Sequence, residues 1–285
     1  MERRHARIDG LRVSWLELGP RDGTPMVVLH GGGLDRAGVS WGPALPALAR
    51  RHRIFAPDLP GHGESDLFSG SYRVPDVGRW LVALLDTLEL ECAILAGLSL
   101  GGAVALWTAL ATPGRISAVI PVASYGLAPV APLHPLAFLG TRLPVNRLAY
   151  PLIARSDFAA REALATIVHD RASITPDLLR DVRQLAAAAR PHAYDRFLRD
   201  EIGPNGLGTC LIPRLPGLGP PALFIHGRHD RPVPIAAARA AARAAGARLV
   251  ELDTGHWPMV EAPGPFDAAL DHFLQRLGRD RNELH

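Results

Sequence analysis

Lysine is absent from this 285-residue chain: all 31 basic side chains are arginine, set against 28 carboxylates for a net charge of +3. That bias, beside heavy use of Ala, Gly and Pro, is what a GC-rich coding sequence produces. The arginines are scattered among acids, which excludes the continuous basic stripe of a nucleic-acid binder. Cysteine is nearly missing too. Cys92 and Cys210 alone supply neither a disulfide framework nor a thiolate metal cluster. No apolar run approaches the ~18 residues of a membrane span. The N-terminal "MERRHARIDGLRVSW" lacks the apolar core of ~7–15 residues and the cleavage site of a secretory signal. The expectation is a cytoplasmic protein with no membrane span.

What is present is an alternation. Short β-branched runs at 11–18, 26–30, 53–58, 92–97, 116–124, 222–227 and 247–252 read as strands. Helical patterns at 76–89, 100–111, 235–245 and 264–277 lie between or after them. Strands joined through helices form a mainly parallel sheet with helices on both faces, so the fold class is α/β. The alternation stops near residue 125 and resumes near 221. Between lie Pro129, Pro132, Pro135, Pro144 and Pro151, then helical patterns at 157–170 and 176–189. A structureless loop of that length is implausible in a compact domain. Residues 125–218 are therefore expected to form a helical cap inserted into a core of residues 1–124 and 219–285.

The chemistry centres on "GLSLG" at 97–101. Gly-x-Ser-x-Gly after a strand and before a helix marks a sharp turn that exposes one strained Ser, and the flanking glycines avoid clashes there. Ser99 is the candidate nucleophile. A hydroxyl needs a base and an acid to steady that base. Asp230 follows the strand 222–227 and His256 follows the strand 247–252, at the strand ends where catalytic groups collect. Asp253 is the competing acid, while Ser124 and Tyr125 fill the other usual acid position and carry no carboxylate. His226, His229 and His62 are weaker choices for the base. Three glycines follow "VVLH", and bare backbone there can aim N–H groups at an oxyanion. The donors are expected to be the amides of Gly32, with Gly33 as the alternative, and Leu100. His30 is read as a loop organiser.

With "HGGG" (30–33), "DLPGHGES" (58–65), "GLSLGG" (97–102), "HGRHDRPVP" (226–234) and "GHWPMVEAP" (255–263) in this order, the chain resembles the α/β-hydrolase superfamily. That resemblance implies the α/β-hydrolase fold, with a mostly parallel eight-stranded sheet, an active site between sheet and cap, and Ser-His-Asp catalysis without cofactor or metal. "HGGG", "HGRHDRPVP" and "GHW" are similar to the meta-cleavage-product C–C hydrolases, although Leu98 stands where those enzymes usually carry Asn. Arg190 or Arg196 could bind a substrate carboxylate or be exposed helix arginines. The partner expected is a small, mainly apolar substrate: an ester, lactone, thioester or vinylogous diketo acid. A ligand receptor on the same fold is the reading from outside enzymology. Oligomeric state is left open.

Overall fold

The computed structural model describes residues 2–188 and 192–282. Eight strands form one sheet: β1 (Glu2–Ile8), β2 (Leu11–Leu18), β3 (Thr24–Leu29), β4 (His52–Pro57), β5 (Ala93–Leu98), β6 (Ile116–Val122), β7 (Leu223–Gly227) and β8 (Arg248–Leu252). Their spatial order is β1-β2-β4-β3-β5-β6-β7-β8. β2 runs antiparallel to β1 and to β4, and the remaining pairs are parallel.

Strands of period 2 buried on both sides divide their side chains between two cores. Val27, Leu29, Phe55, Leu95 and Val119 face α2 (Val74–Thr87), α3 (Leu100–Ala111) and α9 (Ile235–Ala244). Met26, Val28, Ile54, Ile94 and Ile120 face α1 (Leu45–Leu48) and α11 (Pro263–Asn282). A fully buried Leu or Ile such as Leu81 or Ile54 contributes roughly 2 kcal/mol of transfer free energy. In α2, Pro75 occupies the first turn and the Asp76 carboxylate accepts from the Arg73 N–H at 2.9 Å, which fixes the start of the helix.

β1 was not among the runs read from the sequence. "ERRHARI" is too charged to resemble a strand, but at the sheet edge only one face needs burial. Between β6 and β7 the described residues form five α-helices: α4 (His134–Gly140), α5 (Val145–Arg155), α6 (Asp157–Leu164), α7 (Pro176–Ala188) and α8 (His192–Glu201). The Pro-rich opening of this insertion turns helical from His134, beyond Pro129 and Pro132. Pro135 sits in the first turn of α4, and Pro144 directly precedes α5, positions where a missing N–H costs nothing. Pro151 lies inside α5. α5 and α7 bury Tyr150, Ile153, Leu178 and Val182 in the same core as Met26 and Val28. A short helix, α10 (Pro258–Glu261), precedes α11.

Candidate active site

Ser99 connects β5 to α3 with φ 52° and ψ −114°, a left-handed conformation that costs a non-glycine residue on the order of 1–3 kcal/mol. Backbone bonds hold it there. Its N–H donates to Val122 O at 2.9 Å, and its carbonyl accepts from the N–H groups of Ala103 (3.1 Å) and Tyr125 (3.0 Å). The two motif glycines permit the turn. A Cβ on Gly97 would lie 2.2 Å from Gly101 O, and one on Gly101 would lie 2.5 Å from His30 O. Ser99 is half-buried, and among the described residues its hydroxyl has no hydrogen-bond partner within 3.5 Å.

Asp230 and His256 meet. The His256 Nδ1 and Asp230 Oδ2 are 2.8 Å apart, and both residues are buried. Asp230 Oδ2 also lies 3.2 Å from His226 Nε2, while Oδ1 accepts from the Val233 N–H at 2.8 Å. Burial by itself would raise the Asp230 carboxyl, but hydrogen bonds from His226 and His256, and then their charge, hold it below the usual carboxylate range. Asp253 points elsewhere. It is exposed and pairs with His229 Nε2 at 2.8 Å, and His229 stacks on His169 with ring centroids 3.7 Å apart.

The glycine loop after β3 lies against the start of α3: a Cβ on Gly32 would be 3.8 Å from Leu100 Cδ2. Leu100 opens α3, so its N–H has no acceptor within the helix and carries the positive end of the dipole. Gly33 has φ 77°. Two buried side chains organise this loop. The His30 Nδ1–H donates to Gly31 O at 2.6 Å while its Nε2 accepts from the Leu59 N–H at 2.9 Å, which requires a neutral ring. Burial, only partly offset by Asp58, pulls His30 down to about 4. The Asp35 carboxylate accepts from the N–H groups of Gly31 (2.8 Å), Arg36 (2.8 Å) and Ser40 (3.1 Å), and burial still raises it to about 6. His62 packs edge-on against His30, with centroids 5.1 Å apart, and is no neighbour of Asp230 in the hydrogen-bond network.

The helical insertion grips this region from two sides. Ile167 O accepts from the His256 N–H at 2.7 Å. Glu261 accepts from the N–H groups of Gly255, His169 and Asp170, which ties the same loop to the insertion. On the other side the Tyr194 ring of α8 lies on Gly32 and Gly33. Asp35, Tyr194, Ile167 and Glu261 escaped the sequence reading. Of these only Asp35 left a trace, as a carboxylate two residues beyond the glycine run. Arg196 donates to Phe68 O (2.9 Å) and Gly70 O (3.1 Å), so its guanidinium is engaged by backbone. Arg190 lies outside the described residues.

A cavity of about 840 Å³ lies beside the glycine loop, lined by Gly33, Asp35, His62, Tyr150, Leu185 and Tyr194 among others. Ser99 and His256 do not line it. Loops carrying Asp35, Arg36 and Asp66 form one side of it and the insertion the other. Among the described residues no group of three or more His, Cys, Asp or Glu has the geometry to hold a metal ion. Likewise no helix there is long and apolar enough to cross a membrane.

Known proteins share both the sequence and the architecture. The acetyltransferase component of an acetoin cleaving system from Pseudomonas putida is 30% identical over 285 residues, covering 95% of this chain and 69% of that one. The 2-hydroxy-6-oxo-6-phenylhexa-2,4-dienoate hydrolase of Comamonas testosteroni is 30% identical over 266 residues, covering 90% of this chain and 89% of its own. The crystal structure of an enol-lactonase from Burkholderia xenovorans superposes with a TM-score of 0.77 at 25% identity, covering 95% of this chain and 100% of that chain. The profile of the alpha/beta hydrolase family matches residues 26–269, and the chain belongs to that family.

Proposed function

We propose that this chain is a serine hydrolase in which Ser99, His256 and Asp230 act as a triad on an ester-like bond. The observation that carries the reading is the strained Ser99 turn at the C-terminal end of β5, together with a buried Asp230–His256 pair after the C-terminal ends of β7 and β8 of the same sheet. An ionised Asp230 accepting from Nδ1–H leaves the Nε2 lone pair of His256 free to take the Ser99 proton. Ser99 then attacks the carbonyl carbon. The negative charge that develops on oxygen falls to the N–H groups of Leu100 and Gly32, with Gly33 as the alternative donor. Protonated His256 returns its proton to the leaving group, and water cleaves the acyl-enzyme by the reverse route.

No hydrogen bond joins the hydroxyl and the imidazole in this structure, a contact that such sites commonly tighten only around bound substrate. Residues 125–218 serve as the cap over this site: Ile167 positions the His256 backbone and Tyr194 covers the glycine loop. Hydrolysis of a C–C bond in a vinylogous diketo acid is the second reading, favoured by the likeness to the Comamonas testosteroni hydrolase. Ser99→Ala should lower the turnover of p-nitrophenyl butyrate by at least ~10⁴-fold. A variant as active as the parent removes the nucleophile from the proposal. Side-by-side turnover of a lactone, a short ester and a vinylogous diketo acid separates the two readings.

A further inference from the structure

We propose that the outer face of α4 and α5 is a docking surface for a membrane carrying anionic phospholipid. All nine large apolar side chains that stand exposed among the described residues lie between 130 and 158, each 46% to 77% exposed. Isolated exposed leucines need no explanation, but a cluster confined to one segment marks an interaction site. The spacing makes it a face. Leu136 and Leu139 lie one turn apart on α4, exposed Leu143 follows in the link, and Val145, Leu148 and Leu152 follow i, i+3, i+7 along α5. Neither helix lacks a buried side. α5 turns Tyr150 and Ile153 into the core, and α4 turns His134 inward to Gly203 O at 2.9 Å. The exposed stripes are thus a second apolar face without a partner among the described residues.

Charge selects the occupant. No Asp or Glu occurs between Glu91 and Asp157, while Arg142, Arg147 and Arg155 stand exposed around the stripes. Arg142 donates to Thr141 Oγ1 and Arg199 O rather than to a carboxylate. A second copy would fit less well, because a twofold contact sets the same patch against itself and opposes arginine to arginine, while the acids at its edge are already engaged: Asp195 by Asn146 and Asp157 by Arg183. An anionic bilayer answers both features. The apolar stripe enters the boundary between headgroups and acyl chains, and the guanidinium groups meet phosphate.

The test is flotation of the full chain with vesicles of equal phosphatidylcholine and phosphatidylglycerol, and with phosphatidylcholine alone, at 0.1 M NaCl. Binding is expected to the anionic vesicles only. It should fall at least tenfold in Leu136→Glu/Leu148→Glu, and about fivefold for each of Arg142→Gln and Arg155→Gln. Far-UV circular dichroism and the melting temperature establish that each variant is folded. Equal binding to both vesicle types, binding that ignores the leucine changes, or no binding at all overturns the proposal. So does a dimer in sedimentation velocity that Leu136→Glu/Leu148→Glu dissociates while vesicle binding is absent.

Discussion

Replacing Gly32 with Ala probes the contact between the insertion and the glycine loop. The new Cβ would lie 2.7 Å from Tyr194 Cε2 and 2.8 Å from Cδ2. Carbon atoms settle near ~3.5–4.0 Å, so ring or loop must retreat by about 1 Å. The ring has little freedom. It stacks on Phe197 at 6.2 Å between centroids, and Phe197 is buried and packs edge-on against Tyr125 at 5.2 Å. Overpacking of this kind costs about 1–3 kcal/mol, a melting shift of several degrees. Movement of the loop would displace the Gly32 amide, the proposed oxyanion donor, and losing one such donor costs ~3 kcal/mol, or about 10²-fold in kcat. Gly32 does not have a positive φ, so the clash with Tyr194 is the whole obstacle. In a Tyr194→Ala background the same change should therefore be nearly harmless, with a coupling of at least ~1 kcal/mol. The assay compares kcat/KM for p-nitrophenyl butyrate, and the melting temperature, across the four proteins of the cycle. An equal loss from Gly32→Ala in both backgrounds refutes the reasoning.

Asp230→Asn should lower kcat by roughly 10⁴-fold, because the amide no longer stabilises the imidazolium, while Asp253→Asn, on the exposed His229 pair, should leave kcat within about twofold. Comparable effects of the two changes would reverse the assignment of the acid. Stability should fall as pH drops from about 6.5 to 4, since His30 and His62, both held near 4 by burial, stay neutral in the fold while the unfolded chain protonates them. Each contributes about 3 kcal/mol to that loss, and Asp35, raised to about 6, opposes it by a similar amount because the folded form binds its proton first. Chemical denaturation across this range should show His62→Gln flattening the profile by about one proton and Asp35→Asn steepening it by about one. A slope unmoved by His62→Gln contradicts the account.

The legible parts of the sequence were those with local signatures. β2 to β8 are apolar, β-branched runs bounded by Gly or Pro, and each lies within two residues of where the pattern puts it. β1 stayed hidden because its pairing partner, not its composition, makes it a strand: seven registered pairs with β2 organise an otherwise charged segment. α4, α5 and α8 stayed hidden behind prolines and mixed charge; α5 and α8 pack Tyr150, Ile153, Ala193 and Phe197 on the core, whereas α4 buries only His134. At the proposed site, Ser99 directly follows β5, while Asp230 and His256 come three and four residues after β7 and β8, so chain order was enough to propose them. Tyr194 and Ile167 act across long sequence separations, one through a ring lying on glycines and the other through a carbonyl. No spacing rule encodes such contacts. Asp35 works through three backbone N–H groups, a role that any short loop acid could hold.

The central claim is that one hydroxyl is activated by the imidazole and carboxylate beyond it. A fluorophosphonate probe at neutral pH, followed by mass spectrometry of the digested protein, tests it most directly. A single adduct is expected on Ser99, abolished in Ser99→Ala and strongly slowed in His256→Ala. An unlabelled protein, or an adduct that persists in Ser99→Ala, contradicts it and leaves the fold serving a binding role.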